Sequence, residues 1–190
     1  MRKRAWPIGA GGALLLCGAA VLCWCAWVGR ETSAVQTRAQ QELQRTPTPG
    51  TPLLPQAPPA RGALIGQLAI PRLHLSVMVL EGDDARTLRV AAGHIPGTAL
   101  APHGGNIGIA AHRDSFFRPL RSIRAHDLVT LTTPAGVSRF IVSDFEVVRP
   151  TDVKVLAPAP GRDLTLVTCY PFAYIGRAPR RFVVHARQVS

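Results

Sequence analysis

The sequence predicts an all-β domain, a barrel or a sandwich of six to eight short strands, behind one membrane-spanning helix. The domain is predicted because apolar and polar residues alternate with a period of two in several short segments, which turn residues separate. The helix is predicted because no charged residue occurs from Ala5 to Gly29. The 190 residues have room for one domain, at 62–190, and for these N-terminal segments.

The N-terminal segment, residues 1–30, is predicted to be a basic flank followed by a signal-anchor. As a helix, about 25 uncharged residues would reach roughly 37 Å, enough for a hydrocarbon core of about 30 Å. The flank Met1–Arg4 carries three positive charges, which predicts a cytoplasmic N-terminus and an extracytoplasmic domain. A cleaved signal peptide is the alternative, but its apolar core is shorter, about 7–15 residues. The sequence favours an uncleaved anchor.

Residues 31–61 are predicted to be a stalk and a linker. Glu31–Arg45 is polar and rich in glutamine, which is compatible with a helical stalk. Thr46–Pro59 has a proline at nearly every second or third position, which is typical of an extended, stiff spacer. We expect this spacer to hold the domain off the bilayer.

The elements of the domain are predicted in chain order from the alternation and its breaks. Asp83 and Asp84 suit the positive end of a short helix that runs to about Ala92. The predicted strands are two short segments within Gly66–Gly82 that Pro71 separates, Asn106–His112, a hairpin over Asp127–Val148 that turns at residues 134–136, Asp163–Cys169 and Arg180–Val189.

Three chemically reactive side chains fall on the less apolar faces of their strands. Alternation places Cys169 opposite Leu164 and Leu166. By the same rule His112 lies opposite the face of three small or branched apolar residues, and Arg181 lies opposite Phe182. All three could therefore line one cleft, although alternation does not show that the three strands are neighbours.

Cys169 is the one cysteine outside the predicted helix, since Cys17, Cys23 and Cys25 lie within it. A thiol without an intramolecular partner outside the cytoplasm is either a buried, inert side chain or one kept free for reaction. A thiolate is a nucleophile, an imidazole can protonate a leaving amine, and a guanidinium can hold a developing oxyanion. Together these groups predict acyl transfer through a thioester.

Other functional classes have weaker support in the composition. Lys and Arg number 22 against 11 Asp and Glu, but they are scattered and not interleaved with aromatic residues, so nucleic acid is not predicted as a partner. His94, His103 and His112 recur every nine residues, yet no carboxylate or Cys-x-x-Cys motif supports a metal site there. The sequence therefore predicts neither a metal nor another cofactor.

"TLVTC", Thr165–Cys169, matches the TLxTC signature of sortases, the membrane-anchored cysteine transpeptidases. Four segments resemble class D sortases in the same order, and the resemblance covers nearly all of residues 62–190: "GHIPGTA" at 93–99, "GGNIGIAAHRDSFF" at 104–117, "TLVTCYPF" at 165–172 and "APRRFVVHA" at 178–186. The resemblance implies a closed β-barrel of about eight strands with one or two short helices.

The resemblance also implies roles for individual residues. Cys169 matches the nucleophile of the family, His112 its general acid/base, and Arg181 the arginine that begins the last strand. Arg180 is rejected, because it would share a face with Phe182. Ala111 departs from the pattern, since a glycine is expected before the catalytic histidine of this class.

Two further residues are predicted to belong to substrate binding. His94 is expected to line the cleft or to support a loop beside it, and Thr168 is expected to hold the strand end next to the nucleophile. Asp114, two residues after His112, more often caps a turn than completes a triad, and it stays outside the predicted catalytic set.

The resemblance implies a two-step reaction at the cell membrane. Cys169 would attack an LPxTG-like sorting signal at the C-terminus of an exported protein. An amine of a cell-wall peptide or of a pilin-like subunit would then resolve the thioester. Two alternatives stay open at the level of sequence: a cysteine peptidase that uses water as the acceptor, and a non-catalytic, membrane-tethered binding domain.

Overall fold

The computed structural model describes residues 8–45 and 58–189, and in this part of the chain eight strands close into a barrel beside a long helix. The elements are α1 Ile8–Arg45, β1 Leu64–Ile70, β2 Leu75–Glu81, α2 Ala85–Val90, β3 Ala92–His94, β4 Gly105–Ala110, β5 Leu128–Thr133, β6 Gly136–Val148, β7 Arg162–Tyr170 and β8 Arg180–Val189. The strands neighbour one another in the order β1-β2-β3-β4-β7-β8-β6-β5, and β5 pairs with β1 to close the barrel. The predicted barrel of about eight strands is confirmed.

The barrel is mixed, because two of its strand pairs are parallel. β2 pairs with β3 and β4 pairs with β7 in the same direction, whereas the other pairs are antiparallel. Its interior is filled by the apolar faces that alternation predicted, and Leu164, Leu166 and Val184 are fully buried there. The opposite faces of β4, β7 and β8 are therefore available to form a surface cleft.

β3 was not predicted as a strand. Ala92–His94 has three residues, too few to show a period of two. Gly93 allows this strand to approach its neighbour, because a Cβ atom there would lie 2.1 Å from the carbonyl oxygen of Gly82. The predicted short helix is present as α2, where Asp84 caps the N-terminus by accepting from the backbone N–H groups of Arg86 and Thr87.

The predicted apolar segment and the predicted stalk form one continuous helix, α1. A segment within Gly12–Gln44 is long and apolar enough to cross a membrane, with a mean hydropathy of 2.0. The C-terminal part of α1 packs against the barrel, where Ala39 is buried. The basic flank Met1–Arg4 and most of the proline-rich linker, residues 46–57, lie outside the described residues.

A buried carboxylate fixes the connection between β1 and β2 to the segment before β5. The Arg72 guanidinium donates from Nε and Nη2 to the two carboxylate oxygens of Asp127. Arg72 also donates to the carbonyl of Ser122 over 2.6 Å, and the backbone N–H of Arg124 donates to Asp127 over 2.8 Å. The hydrogen bond from Arg72 is the main cause that lowers the pKa of Asp127 below its ordinary value.

Replacement of Asp127 by asparagine is expected to lower the free energy of unfolding by about 1–3 kcal/mol at pH 7. Because the folded pKa of Asp127 lies below its unfolded value, the stabilisation is complete above the unfolded pKa, about 4. It is lost as the pH falls through the lower, folded pKa. Denaturant unfolding of the unchanged protein and of Asp127→Asn, at pH 7 and in acid, would measure this effect. The difference between their free energies of unfolding should be smaller in acid. Asp144→Asn, on the exposed face of β6, is the control, and an equal loss in both variants would contradict the account.

Candidate active site

The order of the strands brings the three predicted catalytic residues together. β7 lies between β4 and β8, and Cys169 on β7 is the register partner of Arg181 on β8. On the other side, Ala110 of β4 pairs with Val167 of β7 in the parallel direction. His112 follows just past the end of β4, two residues after Ala110, and Cys169 lies two residues after Val167, so the parallel register brings both residues to the same end of the barrel.

His112, Cys169 and Arg181 line one cleft with a volume of about 310 Å³. The thiol of Cys169 is free and half-buried. Most of the other lining residues are apolar: Leu88, Ile95, Ala110, Ala111, Val148, Pro150, Val153, Val155, Leu156, Val167 and Val183. Polar groups are contributed by Asp83, Arg149, Asp152 and Thr168. The cleft is therefore a mostly apolar groove with a thiol, an imidazole and a guanidinium on its surface.

Hydrogen bonds hold the end of β7 beside Cys169 and orient the Arg181 guanidinium. The hydroxyl of Thr168 is buried and donates to the carbonyl of Ala111 over 2.7 Å, which ties β7 to the end of β4 beside His112. The Arg181 guanidinium donates to the carbonyl of Arg180 over 3.1 Å. Arg180 itself is exposed and is not among the residues that line the cleft.

The structure places His94 behind the wall of the cleft and not on its surface. His94 is 2% exposed, and its Nδ1 lies 2.6 Å from Oε2 of the buried Glu81. Its Nε2 lies 3.0 Å from the carbonyl oxygen of Ala99. His94 therefore joins β3 to the loop before β4, and the adjacent Ile95 is the residue of this loop that lines the cleft.

A buried network that the sequence analysis did not identify holds another wall. The amide of Asn106 donates to the carbonyls of Val155 and Ala157 over 3.1 and 3.3 Å. The hydroxyl of Thr165 donates to Oδ1 of Asn106 over 2.8 Å. These bonds fasten the 3-10 turn Val153–Leu156, three residues of which line the cleft. The only sequence signal was that Asn106 and Thr165 share the cleft faces of β4 and β7 with His112 and Cys169.

A second cleft, of about 440 Å³, is lined by segments that follow His112 and Cys169 in the chain. Arg113 donates to the carbonyls of Tyr174 and Gly176 over 2.6 and 3.1 Å, which ties the loop between β7 and β8 to the segment after His112. Arg118, Arg121 and the exposed Ile175 also line this cleft. Asp114 lies here and not in the first cleft, apart from the three clustered residues.

A closed mixed barrel whose adjacent strands bring a cysteine, a histidine and an arginine into one cleft has the features of a cysteine acyltransferase. The family model described as "Sortase domain" matches residues 68–189, which is more than half of the chain. The chain therefore belongs to the sortase family, as the sequence resemblance predicted.

Individual relatives agree with this assignment. Sortase D of Bacillus subtilis is 29% identical over 133 residues, which cover 70% of this chain and 67% of that protein. Sortase A of Streptococcus agalactiae is 27% identical over 132 residues, but the chain spans only 52% of its length. Among solved structures, a Clostridium perfringens sortase D5 transpeptidase superposes with a TM-score of 0.67 and 21% identity, over 83% of this chain and 99% of that one. The matches to sortases D and D5 agree with the predicted resemblance to class D.

Proposed function

We propose that this chain is a membrane-anchored cysteine transpeptidase that cleaves an LPxTG-like sorting signal and joins the acyl fragment to an amine. The observation that carries the proposal is the position of Cys169, in register with Arg181 and in one cleft with His112. The apolar walls of the cleft support the choice of substrate, because they suit the leucine and proline of such a signal.

In the first step the thiolate of Cys169 attacks the carbonyl carbon of the threonine in the sorting signal. The Arg181 guanidinium lies beside the developing oxyanion and stabilises it. The C–S bond forms as the C–N bond breaks, and His112 donates a proton to the leaving amine. The product is a thioester between Cys169 and the N-terminal part of the substrate.

In the second step an amine attacks the thioester carbonyl. His112 takes the proton of the incoming amine, a new amide bond forms, and the sulfur leaves as a thiolate. We place the incoming amine at the second cleft, whose lining begins one residue after His112 and three residues after Cys169. Water in place of the amine would make the same chain a cysteine peptidase.

We assign different roles to Thr168 and His94, the two residues predicted to belong to substrate binding. Thr168 fixes the end of β7 to β4 through Ala111, so it positions the nucleophile and contributes to the lining of the cleft. His94 supports the loop that carries Ile95, and its effect on substrate binding is indirect. Both assignments follow from the contacts of these side chains.

The membrane topology is part of the proposal. Residues 1–30 form the basic flank and the anchor, residues 31–61 the stalk and linker, and residues 62–190 the catalytic domain. The positive flank keeps the N-terminus in the cytoplasm, so the barrel lies outside it. There it meets exported proteins with sorting signals and an amine of a cell-wall peptide or of a pilin-like subunit.

The wall network gives a prediction for the binding of the sorting signal. Replacement of Thr165 by valine removes the hydroxyl that bonds Asn106 and leaves the shape of the side chain almost unchanged. We expect the turn Val153–Leu156 to loosen and KM for the peptide to rise about fivefold, which corresponds to about 1 kcal/mol. Steady-state kinetics would measure this change. Thr130→Val, on β5 outside the cleft, should leave KM unchanged, and equal values for both variants would contradict the role of the network.

The proposed reaction is tested with the full chain in detergent and a fluorescent library of LPxTG- and LPxTA-like peptides. Cleavage is followed with and without an added amine. An amine-linked product would support the transpeptidase and identify the motif. Cleavage that yields only the acid would favour the peptidase, and a chain that binds peptides without cleaving any would favour the non-catalytic binding domain.

A further inference from the structure

The C-terminal half of α1 carries a stripe of residues that the barrel covers. Its members recur every three or four positions, are buried or half-buried, and alternate with exposed residues: Val28, Glu31, Thr32, Val35, Gln36, Ala39 and Leu43. Val35 packs against a small apolar cluster formed by Leu80, Val90 and Ala91. The helix that contains the candidate membrane span is therefore also packed along the barrel.

Gln36 forms the polar centre of this contact. Its Nε2 donates to the carbonyl oxygen of Val90 over 2.7 Å, and its Oε1 accepts from the backbone N–H of Met78 over 2.8 Å. Val90 is the last residue of α2, where carbonyl groups lack a partner within the helix. Among neutral side chains of this length, only an amide can donate to one of these groups and accept from the other.

The element held by Gln36 is a wall of the first cleft. α2 has six residues, too few to be stable as a helix without its neighbours. Leu88, two residues before Val90, lines the cleft, as does Asp83 just before the helix. The position of this wall therefore depends on the surfaces against which α2 packs, and α1 is one of them.

We propose that Gln36 is a positioning residue for the sorting-signal cleft, so that the anchor helix is a working part of the enzyme. The proposal rests on the proposed function. Gln36 acts through α2 and does not touch the reacting atoms. It lies seven residues after Gly29, about 10 Å along a helix, so the same contact holds the cleft close to the membrane surface, contrary to the expectation that the linker holds the domain off the bilayer.

The test uses the full chain in detergent and replaces Gln36 by methionine, which keeps the length of the side chain and removes both hydrogen bonds. KM for the sorting peptide is expected to rise about five- to tenfold, with kcat within about twofold of the unchanged protein. Gln36→Glu keeps the acceptor for the N–H of Met78 but sets a carboxylate oxygen against the carbonyl oxygen of Val90, so KM should rise at least as far as in Gln36→Met. The control is Gln40→Met, on the exposed face of the same helix, and it should change neither constant.

A second readout does not depend on turnover. Hydrogen–deuterium exchange of the amides of α2 should be faster in Gln36→Met than in Gln40→Met. If the unchanged protein cleaves no peptide, the proposed function fails. The hydrogen–deuterium exchange of α2 then still shows whether Gln36 positions the wall. Equal exchange and equal KM in the two variants would overturn the proposal. The proposal would also be overturned if Gln36→Met left KM unchanged and lowered kcat only in proportion to the amount of folded protein. Gln36 would then contribute to folding and not to the position of the wall.

Discussion

Replacement of Cys169 by alanine is expected to abolish thioester formation and to reduce peptide cleavage to the uncatalysed background, a loss of about 10⁴-fold or more. The reason is that a thioester needs a thiol, and Cys169 carries the one thiol among the described residues that line the first cleft. Cleavage rates and the intact mass of the enzyme after exposure to the peptide would measure the effect.

The chain provides matched controls for this substitution. Cys17, Cys23 and Cys25 are free thiols on α1, outside the cleft, and their joint replacement by alanine should leave the rate within about twofold. Peptide binding should survive in Cys169→Ala, because the apolar walls are unchanged. Retention of cleavage in Cys169→Ala would contradict the account of the nucleophile.

Replacement of Arg181 by alanine is expected to lower kcat by about 10²–10³-fold, the usual cost of removing one oxyanion donor. KM should change less, because the guanidinium acts mainly when negative charge develops on the oxygen. Arg181→Lys keeps the charge but not the planar arrangement of donors, and it should restore only part of the rate. Single-turnover kinetics of thioester formation would isolate the affected step.

The neighbouring arginine gives a stringent comparison. Arg180 is exposed and pairs with Tyr170, whereas Arg181 pairs with Cys169. Arg180→Ala should therefore leave kcat within about twofold. A large loss with Arg180→Ala and none with Arg181→Ala would show that alternation along β8 had been read in the wrong register.

Much of the barrel was predictable because several of its strands alternate apolar and polar residues over part of their length. Leu164 and Leu166 face the core, and this placed Cys169 on the opposite face before the fold was known. The alternation of apolar and polar residues shows, however, only which face of its own strand a residue occupies. It does not show which strands are adjacent. The parallel pairing of β4 with β7 brings His112, just past the end of β4, into one cleft with Cys169, and it joins segments far apart in the sequence.

The features that were not predicted depend on contacts over long sequence distances. The glutamine-rich segment after the anchor has the composition of a solvated stalk, yet Gln36 bonds residues 42 and 54 positions away. Similarly, the hydrogen bond between His94 and Glu81 produces no periodic pattern in the sequence. The sequence therefore could not show whether His94 is buried and supports a loop or lies on the surface of the cleft.

The central claim is that Cys169 carries the acyl group between the sorting signal and an amine. The most direct measurement is the intact mass of the full chain after incubation with an LPxTG-like peptide, followed by peptide mapping and by addition of an amine. The account predicts one acyl adduct, located on Cys169, that disappears when the amine is added and yields the joined product. An adduct on another cysteine would contradict the account, and so would cleavage of a peptide without the formation of any adduct.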